Sequence, residues 1–538
     1  MPEPARGGAP VETLSATLAA FAARVPDAPA IWYRDAEITF AELDRRSRSV
    51  AAGLAALGIR RGDCVALWLP NAPAWLTAFF GLGRLGAVAL ATNTRFRRAE
   101  ISDVLARARA KAVVFWRGFR GIDFEEILRE SLPALPELEA IIAYEEDGPD
   151  GATATAASIG DRPVTPFAAL EAAAPQAHDE AAPDDPCLLF TTSGTTRRPK
   201  LVVHTHRTLV THARDVAVGF EYGAPDGTGT LQMLPLCGTY GFTQALSVLL
   251  AGRPMVLHPQ FDAAVARDAI RRRGIRRAAM TDEMIRRLYA SIEDEAVPFP
   301  GLRFYTGTRA HELAELSVRR GFRVSGIYGS SEVQALFSRQ PDGDDPVRMA
   351  EGGGIPVCPR AEVRARDPET GRILPHGEAG ELEIRAPSVT PGYLGDAEAT
   401  ARAFTPDGFF RTGDLGFTRP DGSFRYITRI GEAFRLNGFL VNPVEIEEFI
   451  QEHPTVERCQ IVGLEREGGT RIVAFVTARP GATVSESALR EHCLAGIARY
   501  KVPTRFVALD AFPTVESANN VKIHRARLRE MAEEVLPA

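Results

Sequence analysis

The sequence predicts an α/β fold. We expect a large N-terminal domain of layered α/β subdomains plus a β-rich subdomain, followed by a small α+β C-terminal domain. The chain has 538 residues, 45% of them hydrophobic and 25% charged, which is enough for a large buried core and more than one domain. Short apolar runs alternate with helical periodicity along the first part of the chain, and short alternating runs appear after residue 371.

The first clear element is an amphipathic helix that begins after Thr39. Thr39 and Glu42 have the spacing of a capping box, and apolar residues then recur at helical spacing until Gly58. Short apolar runs and a second helical pattern follow at 65–69, 76–85, 87–90 and 112–115. This alternation of strand and helix predicts a largely parallel sheet covered by helices.

Two changes of pattern follow. Residues 145–186 are rich in Ala, Pro, Asp and Gly and show little periodicity, so we expect a surface excursion between two α/β halves. After residues 367–371, alternating runs at 380–385 and 423–427 predict a small β-rich subdomain.

Beyond Arg429 the pattern returns to compact α/β. The predicted strands and helix lie at 460–464, 471–477 and 485–493. Their size suits a separate C-terminal domain, so we predict domain boundaries of 1–428 and 429–538.

Charge and cysteine usage exclude several classes of protein. A formal charge of −6 and a pI near 6.0 supply no cationic field for nucleic acid or an anionic membrane, so neither is an expected partner. The six cysteines are far apart and not interleaved with histidines, which favours neither a zinc site nor a disulfide framework. No apolar run reaches the length of a spanning helix, and the termini show no secretory or peroxisomal signal. We expect a cytoplasmic location.

A hydroxyl-rich loop after the apolar run 187–190 is the strongest signal of chemistry. Hydroxyls and a glycine at the end of a strand present many hydrogen-bond donors on a flexible backbone, as polyphosphate binding requires. The spacing is not that of a Walker A loop, and a Ser/Thr-rich surface turn is the alternative interpretation. The candidate phosphate-binding residues are Thr192, Ser193, Gly194, Thr195, Thr196 and Lys200.

With four later segments, this loop resembles the adenylate-forming (ANL) superfamily of acyl-CoA synthetases, peptide-synthetase adenylation domains and firefly luciferases. The segment YGSSE at 328–332 resembles the family's Y-G-x-T-E motif, and TGDL at 412–415 matches its T-G-D-L motif. Residues 429–447 are similar to the family's hinge region and end in P-x-E-I-E. YKVP at 500–503 and Lys522 complete the set, so the resemblance covers nearly the whole chain.

The resemblance implies an AMP-forming carboxylate–CoA ligase. ATP and a small-molecule carboxylic acid form an acyl-adenylate and pyrophosphate, and coenzyme A then takes the acyl group and releases AMP. Mg²⁺ is the implied metal cofactor. The resemblance also implies that 1–428 is the AMP-binding adenylation domain and that 429–538 is a mobile domain that turns between the two half-reactions.

The resemblance further assigns roles to single residues. Lys522 bridges the substrate carboxylate and the α-phosphate, Glu332 holds Mg²⁺, and Lys200 completes the catalytic group. The ATP site takes in Tyr328, Gly329, Ser330, Ser331, Asp414 and Arg429, beside the loop above. Gly438 and Phe439 line the path of coenzyme A.

These residue types suit the chemistry. Tyr328 offers an aromatic face for adenine, Glu332 a hard carboxylate oxygen for Mg²⁺, and Asp414 two acceptors for ribose hydroxyls. The plain alternatives are a core tyrosine, a solvated glutamate and a local turn cap. Only four lysines occur among 63 basic residues, and three of them lie on these motifs, at 200, 501 and 522.

The sequence departs from the family pattern in the acyl pocket. The predicted pocket residues are Cys237, Gly238, Tyr240 and Gly307. Gly238 stands where the family usually has a histidine, and loss of the imidazole enlarges the space near the carboxylate. We therefore expect a hydrophobic acid that is bulky, branched or ring-containing. The hinge and the lysine loop also differ, with Gly431 and Val521 in place of the usual residues.

Other functions share these motifs. An adenylate former could load a carrier protein in trans, a luciferase-like oxidoreductase would show the same segments, and a non-catalytic binding protein could keep the fold. The arginine-rich stretch at 267–277 could contact coenzyme A phosphates, although a solvated helix face is the simpler interpretation.

Overall fold

The computed structural model describes residues 12–146, 158–177, 179–192, 199–226, 228–292, 297–306, 310–343, 345–430, 434–436, 439–441, 443–466, 469–497, 499–516 and 521–536. The chain divides into two compact units. The larger unit comprises Met1–Glu362 and Ile384–Phe410, and the smaller unit comprises Val363–Glu383 and Arg411–Ala538.

The helices, in chain order, are α1 (Leu14–Arg24), α2 (Phe40–Ala56), α3 (Pro73–Leu85), α4 (Arg98–Arg107), α5 (Phe124–Ser131), α6 (Phe167–Glu171), α7 (His206–Gly219), α8 (Thr239–Leu250), α9 (Ala263–Arg273), α10 (Asp282–Ala290), α11 (Ala310–Arg320), α12 (Pro346–Ala350), α13 (Ala397–Ala403), α14 (Pro443–Gln451), α15 (Glu486–Gly496) and α16 (Arg525–Val535).

The strands are β1 (Pro29–Tyr33), β2 (Ala36–Thr39), β3 (Cys64–Trp68), β4 (Val88–Ala91), β5 (Ala110–Trp116), β6 (Ala140–Tyr144), β7 (Ser158–Ile159), β8 (Arg162–Pro166), β9 (Pro186–Thr191), β10 (Leu201–Thr205), β11 (Thr230–Gln232), β12 (Met255–Leu257), β13 (Arg277–Ala279), β14 (Arg303–Thr306), β15 (Arg323–Ser330), β16 (Gln334–Arg339), β17 (Gly353–Pro356), β18 (Glu362–Arg366), β19 (Gly380–Arg385), β20 (Gly392–Tyr393), β21 (Phe410–Thr418), β22 (Phe424–Arg429), β23 (Phe434–Leu436), β24 (Phe439–Val441), β25 (Val456–Arg466), β26 (Gly469–Ala478), β27 (Arg505–Ala508), β28 (Thr514–Glu516) and β29 (Val521–Ile523).

A nine-stranded sheet forms the centre of the larger unit, in the order β20-β10-β9-β4-β3-β5-β6-β8-β7. Its six middle strands run parallel, as the alternation of strand and helix predicted, and the outer pairs are antiparallel. Every residue of β3 and β4 is buried, so both faces of the sheet are covered at these strands. The predicted parallel sheet is confirmed.

The expectation for residues 145–186 is wrong in part. β8 pairs in parallel with β6 and so extends the central sheet, and α6 packs on α2 through Leu170, which lies against Gly53. A strand of five residues and a helix of five residues are too short to show a reliable period, so the composition alone suggested a loop.

The helix predicted after Thr39 is confirmed as α2. The Thr39 hydroxyl accepts a hydrogen bond from the amide of Glu42 at 3.2 Å, which satisfies one free amide of the first turn. The Glu42 carboxylate binds Arg45 and Arg46. The helix ends before Gly58, whose φ of 86° is readily adopted by glycine.

Two further sheets belong to the larger unit. One is four-stranded, in the order β11-β12-β1-β2, and β13, β14, β15, β16 and β17 lie side by side in chain order in the other. β13, β14 and β15 are parallel, whereas β16 reverses direction, so a tight turn follows the end of β15 at Ser330.

The smaller unit contains the predicted β-rich subdomain and a compact C-terminal part. β21 and β22 form an antiparallel pair, and the order continues through β19 to β18. In the C-terminal part, α14 and α15 pack on the sheet β25-β26-β27 around a core that includes Ile446, Ile450, Ile461 and Leu489. The strands and helix predicted at 460–464, 471–477 and 485–493 are confirmed. In the described parts of both units, no helix has the length and apolar character needed to cross a membrane.

Candidate functional site

The predicted phosphate loop connects two antiparallel strands of the central sheet, β9 and β10. Two hydrogen bonds of 3.0 Å close its base, one from the Thr192 amide to the Lys200 carbonyl and one from the Lys200 amide to the Thr192 hydroxyl. Ser193, Gly194, Thr195 and Thr196 lie outside the described residues. The position of Lys200 at the base of the loop is therefore set by the sheet.

The Lys200 ammonium lies over an aromatic ring that sequence reasoning missed. Its Nζ is 4.4 Å from the centroid of the Tyr393 ring, within the range of a cation–π contact. Tyr393 belongs to β20, the edge strand beside β10, and its hydroxyl donates a hydrogen bond of 3.1 Å to Oε1 of Glu332. The structure thus connects two predicted catalytic residues through Tyr393.

Glu332 lies in the turn between β15 and β16. The Ser330 hydroxyl accepts hydrogen bonds from the amides of Glu332 and Val333 at 3.2 and 3.3 Å. The Glu332 carbonyl accepts a hydrogen bond of 2.7 Å from the Thr390 amide, two residues before β20. Both the main chain and the side chain of Glu332 are therefore held by the segment that contains Tyr393.

Two buried histidines hold this turn and the start of β16. Nε2 of His204 is 2.8 Å from the Ser331 carbonyl, and Nε2 of His212 is 2.8 Å from the Ala335 carbonyl. Burial lowers the pKa of each imidazole to about 4, so the neutral form with a proton on Nε2 donates both bonds. No catalytic motif in the sequence marks either histidine.

Gln334 completes the turn in a conformation uncommon for a side chain of this type. Its φ is 67°, and a left-handed backbone costs a residue other than glycine of order 1 kcal/mol. Its amide nitrogen donates to the carbonyls of Thr208 and Ser388 at 2.9 and 3.1 Å, which offsets that cost. The turn that carries Glu332 is therefore held by contacts within the protein itself.

Tyr328, the predicted adenine contact, is the sixth residue of β15 and is only 6% exposed. Its ring meets Phe337 edge to face, with 6.4 Å between centroids. Gly329 follows, and a Cβ there would lie 2.5 Å from Cα of Ala335, so the close approach of β16 requires a glycine.

The predicted acyl-pocket residues lie at the N-terminus of α8. Gly238 is the N-cap of this helix, and Cys237 before it is buried. The hydroxyl of Tyr240 reaches the carbonyls of Met280 and Tyr305, and burial raises its pKa well above the usual value. Gly307 lies outside the described residues. Burial raises the pKa of the Cys237 thiol to about 12, so this thiol is unsuited to act as a nucleophile.

The smaller unit holds the remaining predicted residues. Asp414 and Arg429 are directly opposite each other in β21 and β22, and Nε of Arg429 lies 2.9 Å from Oδ1 of Asp414. The Arg429 guanidinium also donates to the Thr412 carbonyl at 3.0 Å. Lys522 lies in β29, paired with Val515. Phe439 begins β24, and Gly438 lies outside the described residues.

The described residues offer no ready-made cage of protein ligands for a metal ion. No three His, Cys, Asp or Glu side chains among them cluster to hold an ion. Mg²⁺ typically uses one or two protein carboxylates and completes its shell with water and substrate phosphates. The carboxylate of Glu332 in the larger unit fits that requirement.

Comparison with known proteins identifies the family. The AMP-binding enzyme model matches residues 18–394, and the model of the AMP-binding enzyme C-terminal domain matches residues 445–519. The chain belongs to the AMP-binding enzyme family. A family member of this kind is an AMP-forming acid–thiol ligase that uses ATP, Mg²⁺ and coenzyme A.

Similar proteins cover the chain almost completely. A sulfoacetate–CoA ligase of Cupriavidus necator is 31% identical and covers 96% of this chain and 97% of its own length. A 2-hydroxy-7-methoxy-5-methyl-1-naphthoate–CoA ligase of Streptomyces carzinostaticus is 30% identical, with coverage of 97% and 93%. The ATP-bound crystal structure of MatB from Rhodopseudomonas palustris has a TM-score of 0.82 and 26% identity, with coverage of 97% and 99%.

Proposed function

We propose that the larger unit binds ATP with Lys200 and Glu332 on the phosphates and Tyr328 beside adenine. The observation that carries this proposal is the arrangement around Tyr393. Its ring lies between an ammonium and a carboxylate, so Lys200 can face phosphate oxygens while Glu332 faces a cation. A direct Lys–Glu pair would neutralise both groups before ATP arrived.

Mg²⁺ would be held by Glu332 together with the phosphates, and it supplies charge neutralisation during the displacement at the α-phosphate. The chain's own part is positioning. Thr390 and His204 hold the turn at 330–334, and His212 holds the residue after it, so the carboxylate does not have to reorganise when ATP binds.

In the smaller unit, we assign Asp414 and Arg429 to the ribose and Lys522 to the reacting carboxylate and α-phosphate. The 2.9 Å ion pair between Asp414 and Arg429 fixes the carboxylate on β21, and carboxylate oxygens are suitable acceptors for ribose hydroxyls. A lysine ammonium suits Lys522 because attacking and leaving oxygens both carry negative charge. The boundary at residue 429 and the mobility of the domain 429–538 belong to the same proposal.

For the second step, we propose coenzyme A as the acyl acceptor, with Gly438 and Phe439 along its path. The thiol sulfur attacks the acyl carbon, the bond to the AMP oxygen breaks, and the thiol proton is lost to solvent. A carrier protein that receives the acyl group in trans is the second candidate acceptor.

The acid is proposed to be bulky and hydrophobic. Gly238 is buried at the N-cap of α8 and contributes no side chain to the space between Cys237 and Tyr240. The naphthoate–CoA ligase among the relatives acts on a bicyclic aromatic acid, whereas the sulfoacetate–CoA ligase acts on a small one, so both classes belong in a test.

The deciding experiment is product analysis by mass spectrometry. The full chain is incubated with ATP, Mg²⁺ and a panel of aryl, polycyclic, fatty and small anionic acids, with and without coenzyme A. We expect AMP and an acyl-CoA from a bulky hydrophobic acid. Acyl-AMP that persists with coenzyme A present indicates the carrier-protein alternative, and absence of AMP with every acid contradicts the proposed function.

The role of Lys522 is tested by separating the half-reactions. Lys522→Ala should lower ATP-dependent acyl-AMP formation by about two to three orders of magnitude, because transition-state charge loses its counterion. Conversion of supplied acyl-AMP to acyl-CoA should stay within a fewfold of wild type. Arg529→Ala, an exposed cation of α16, is the matched control. Equal loss of both half-reactions in Lys522→Ala would contradict the assignment.

A further inference from the structure

Tyr393 contacts both the Lys200 ammonium and the Glu332 carboxylate. The ring centroid is 4.4 Å from Nζ of Lys200, and the hydroxyl is 3.1 Å from Oε1 of Glu332. The two contacts use different parts of one side chain, the ring face and the phenol oxygen. The hydrogen bond can therefore be removed while the ring contact stays.

The backbone around Tyr393 is fixed by the edge of the central sheet. Tyr393 is opposite Val202 in the β10–β20 pair, and the next residue, Leu394, donates its amide to the Leu201 carbonyl at 2.9 Å. The Tyr393 amide donates to the Thr400 hydroxyl at 3.0 Å. The residue is 8% exposed, so its ring has little freedom to turn away.

The segment before Tyr393 is tied to the same two partners. The Thr390 hydroxyl donates to the Val203 carbonyl on β10 at 2.7 Å, and the Thr390 amide donates to the Glu332 carbonyl at 2.7 Å. One short stretch thus touches β10, which begins after Lys200, and the turn that holds Glu332. A shift of this stretch would move both groups together.

We propose that Tyr393 is a positioning residue for the adenylation step. Its ring directs the Lys200 ammonium and its hydroxyl directs one oxygen of Glu332, so that ATP and its Mg²⁺ meet both groups at a set separation. This inference rests on the proposed function of the larger unit. Tyr393 itself contacts neither the acid nor the acyl group in this scheme.

The two contacts predict different defects. Tyr393→Phe keeps the ring under Lys200 and removes the hydrogen bond to Glu332. Because a hydrogen bond to a charged group is involved, we expect the Mg²⁺-dependent part of ATP affinity and kcat each to fall about tenfold. Mg²⁺-free ATP binding should stay within about twofold of wild type, since Lys200 keeps its ring contact.

Tyr393→Leu removes both contacts and should also weaken Mg²⁺-free ATP binding by about threefold to tenfold. Tyr144→Phe is the matched control for Tyr393→Phe. The Tyr144 hydroxyl also donates to a glutamate, Glu146, at 3.1 Å, but in a part of the larger unit that carries none of the proposed site. Its ATP binding and kcat should equal those of wild type.

The measurement is titration calorimetry of ATP with and without Mg²⁺ on the full chain, together with AMP formation at varied ATP and Mg²⁺. Calorimetry needs no acid substrate, so the role of Tyr393 in ATP binding can be tested even if the wild-type protein converts no acid. Conversion of no acid by a wild type that binds ATP would contradict the proposed function alone. Loss of the Mg²⁺-dependent affinity in Tyr393→Phe, with a wild-type melting profile, supports the inference. Wild-type Mg²⁺ dependence and kcat in Tyr393→Phe overturn it, even if Tyr393→Leu fails to fold.

Discussion

At the scale of single residues, Gly329 shows how close packing requires a particular residue within a sequence motif. This glycine does not have a positive φ, so backbone conformation is not the reason for it. A Cβ at this position would meet Cα of Ala335 at 2.5 Å and the carbonyl of Gln334 at 2.6 Å. These are backbone atoms of β16 and cannot rotate aside. The register of β15 and β16 also shifts here, between Tyr328 and Ser330.

We predict that Gly329→Ala forces β15 and β16 apart and displaces the turn that holds Glu332. Overpacking of this kind costs about 1–3 kcal/mol of unfolding free energy. AMP formation should fall at least tenfold, because a displaced Glu332 stabilises the transition state less well. A loss of about 1.4 kcal/mol of that stabilisation lowers the rate tenfold. The assays are urea unfolding and AMP production with the best acid of the panel.

Gly343→Ala is the control for this substitution. A Cβ at Gly343 would have no atom within 4 Å, and its φ is not positive. Its stability and activity should match those of wild type. A Gly329→Ala variant as stable and active as Gly343→Ala would contradict this prediction, because it would show that β16 can move to accept the added Cβ with no loss of stability.

At the scale of secondary-structure elements, α2 and α3 are joined by a buried ion pair. Arg84 of α3 is 1% exposed, and its guanidinium binds the Asp44 carboxylate and the Ser47 hydroxyl of α2. Burial lowers the pKa of Arg84, and the charge of Asp44 opposes that effect. The ion pair thus joins the two helices, and the buried guanidinium depends on Asp44 for a partner because it is shielded from water.

We predict that Asp44→Ala lowers the unfolding free energy by about 3–5 kcal/mol, because the Arg84 charge stays buried without its partner. Glu398→Ala is the matched control, since it breaks an exposed pair with Arg402 at i,i+4 in α13. That change should cost less than about 0.5 kcal/mol. Urea unfolding monitored by tryptophan fluorescence measures both, and equal costs would contradict the buried-charge account.

At the scale of the whole molecule, three buried histidines make stability depend on pH. His204, His206 and His212 lie on β10 and α7, and burial lowers the pKa of each to about 4. In the unfolded chain a histidine titrates near 6.5. Between these values the unfolded state binds protons that the folded state does not bind.

The contribution of these neutral histidines to the unfolding free energy is therefore fully present above about pH 6.5, and it is lost as the pH drops towards 4. Each histidine contributes up to about 1.4 kcal/mol of unfolding free energy per pH unit in that window. Urea unfolding at pH 7.5, 6.5 and 5.5 measures the slope above the range in which an ordinary exposed carboxylate titrates. A flat profile from pH 6.5 to 5.5 would contradict the neutral buried state.

His206→Asn tests the contribution of one histidine. The asparagine oxygen can replace Nδ1 of His206, which accepts a hydrogen bond from the Leu14 amide at 3.2 Å. The slope should fall by up to about 1.4 kcal/mol per pH unit, because one titrating group is gone. His376→Asn changes an exposed histidine and should leave the slope as in wild type.

The sequence by itself determined the family resemblance and the residues proposed for the site. Lys200, Glu332, Asp414 and Lys522 could be proposed as site residues because each lies in a short local motif, and a local motif can be recognised without knowledge of the fold. The parallel sheet was predictable for the same reason, since burial on both faces leaves continuous apolar runs in β3 and β4.

Only the tertiary structure decided what holds those residues. Tyr393 lies in a strand of two residues with no period of its own, and it reaches Lys200 and Glu332 because β20 pairs with β10 at the edge of the sheet. His204 and His212 contact a turn more than 100 positions away along the chain. Contacts between distant segments depend on strand order and register. The residue pattern within one segment does not reveal which strand it pairs with or in which register.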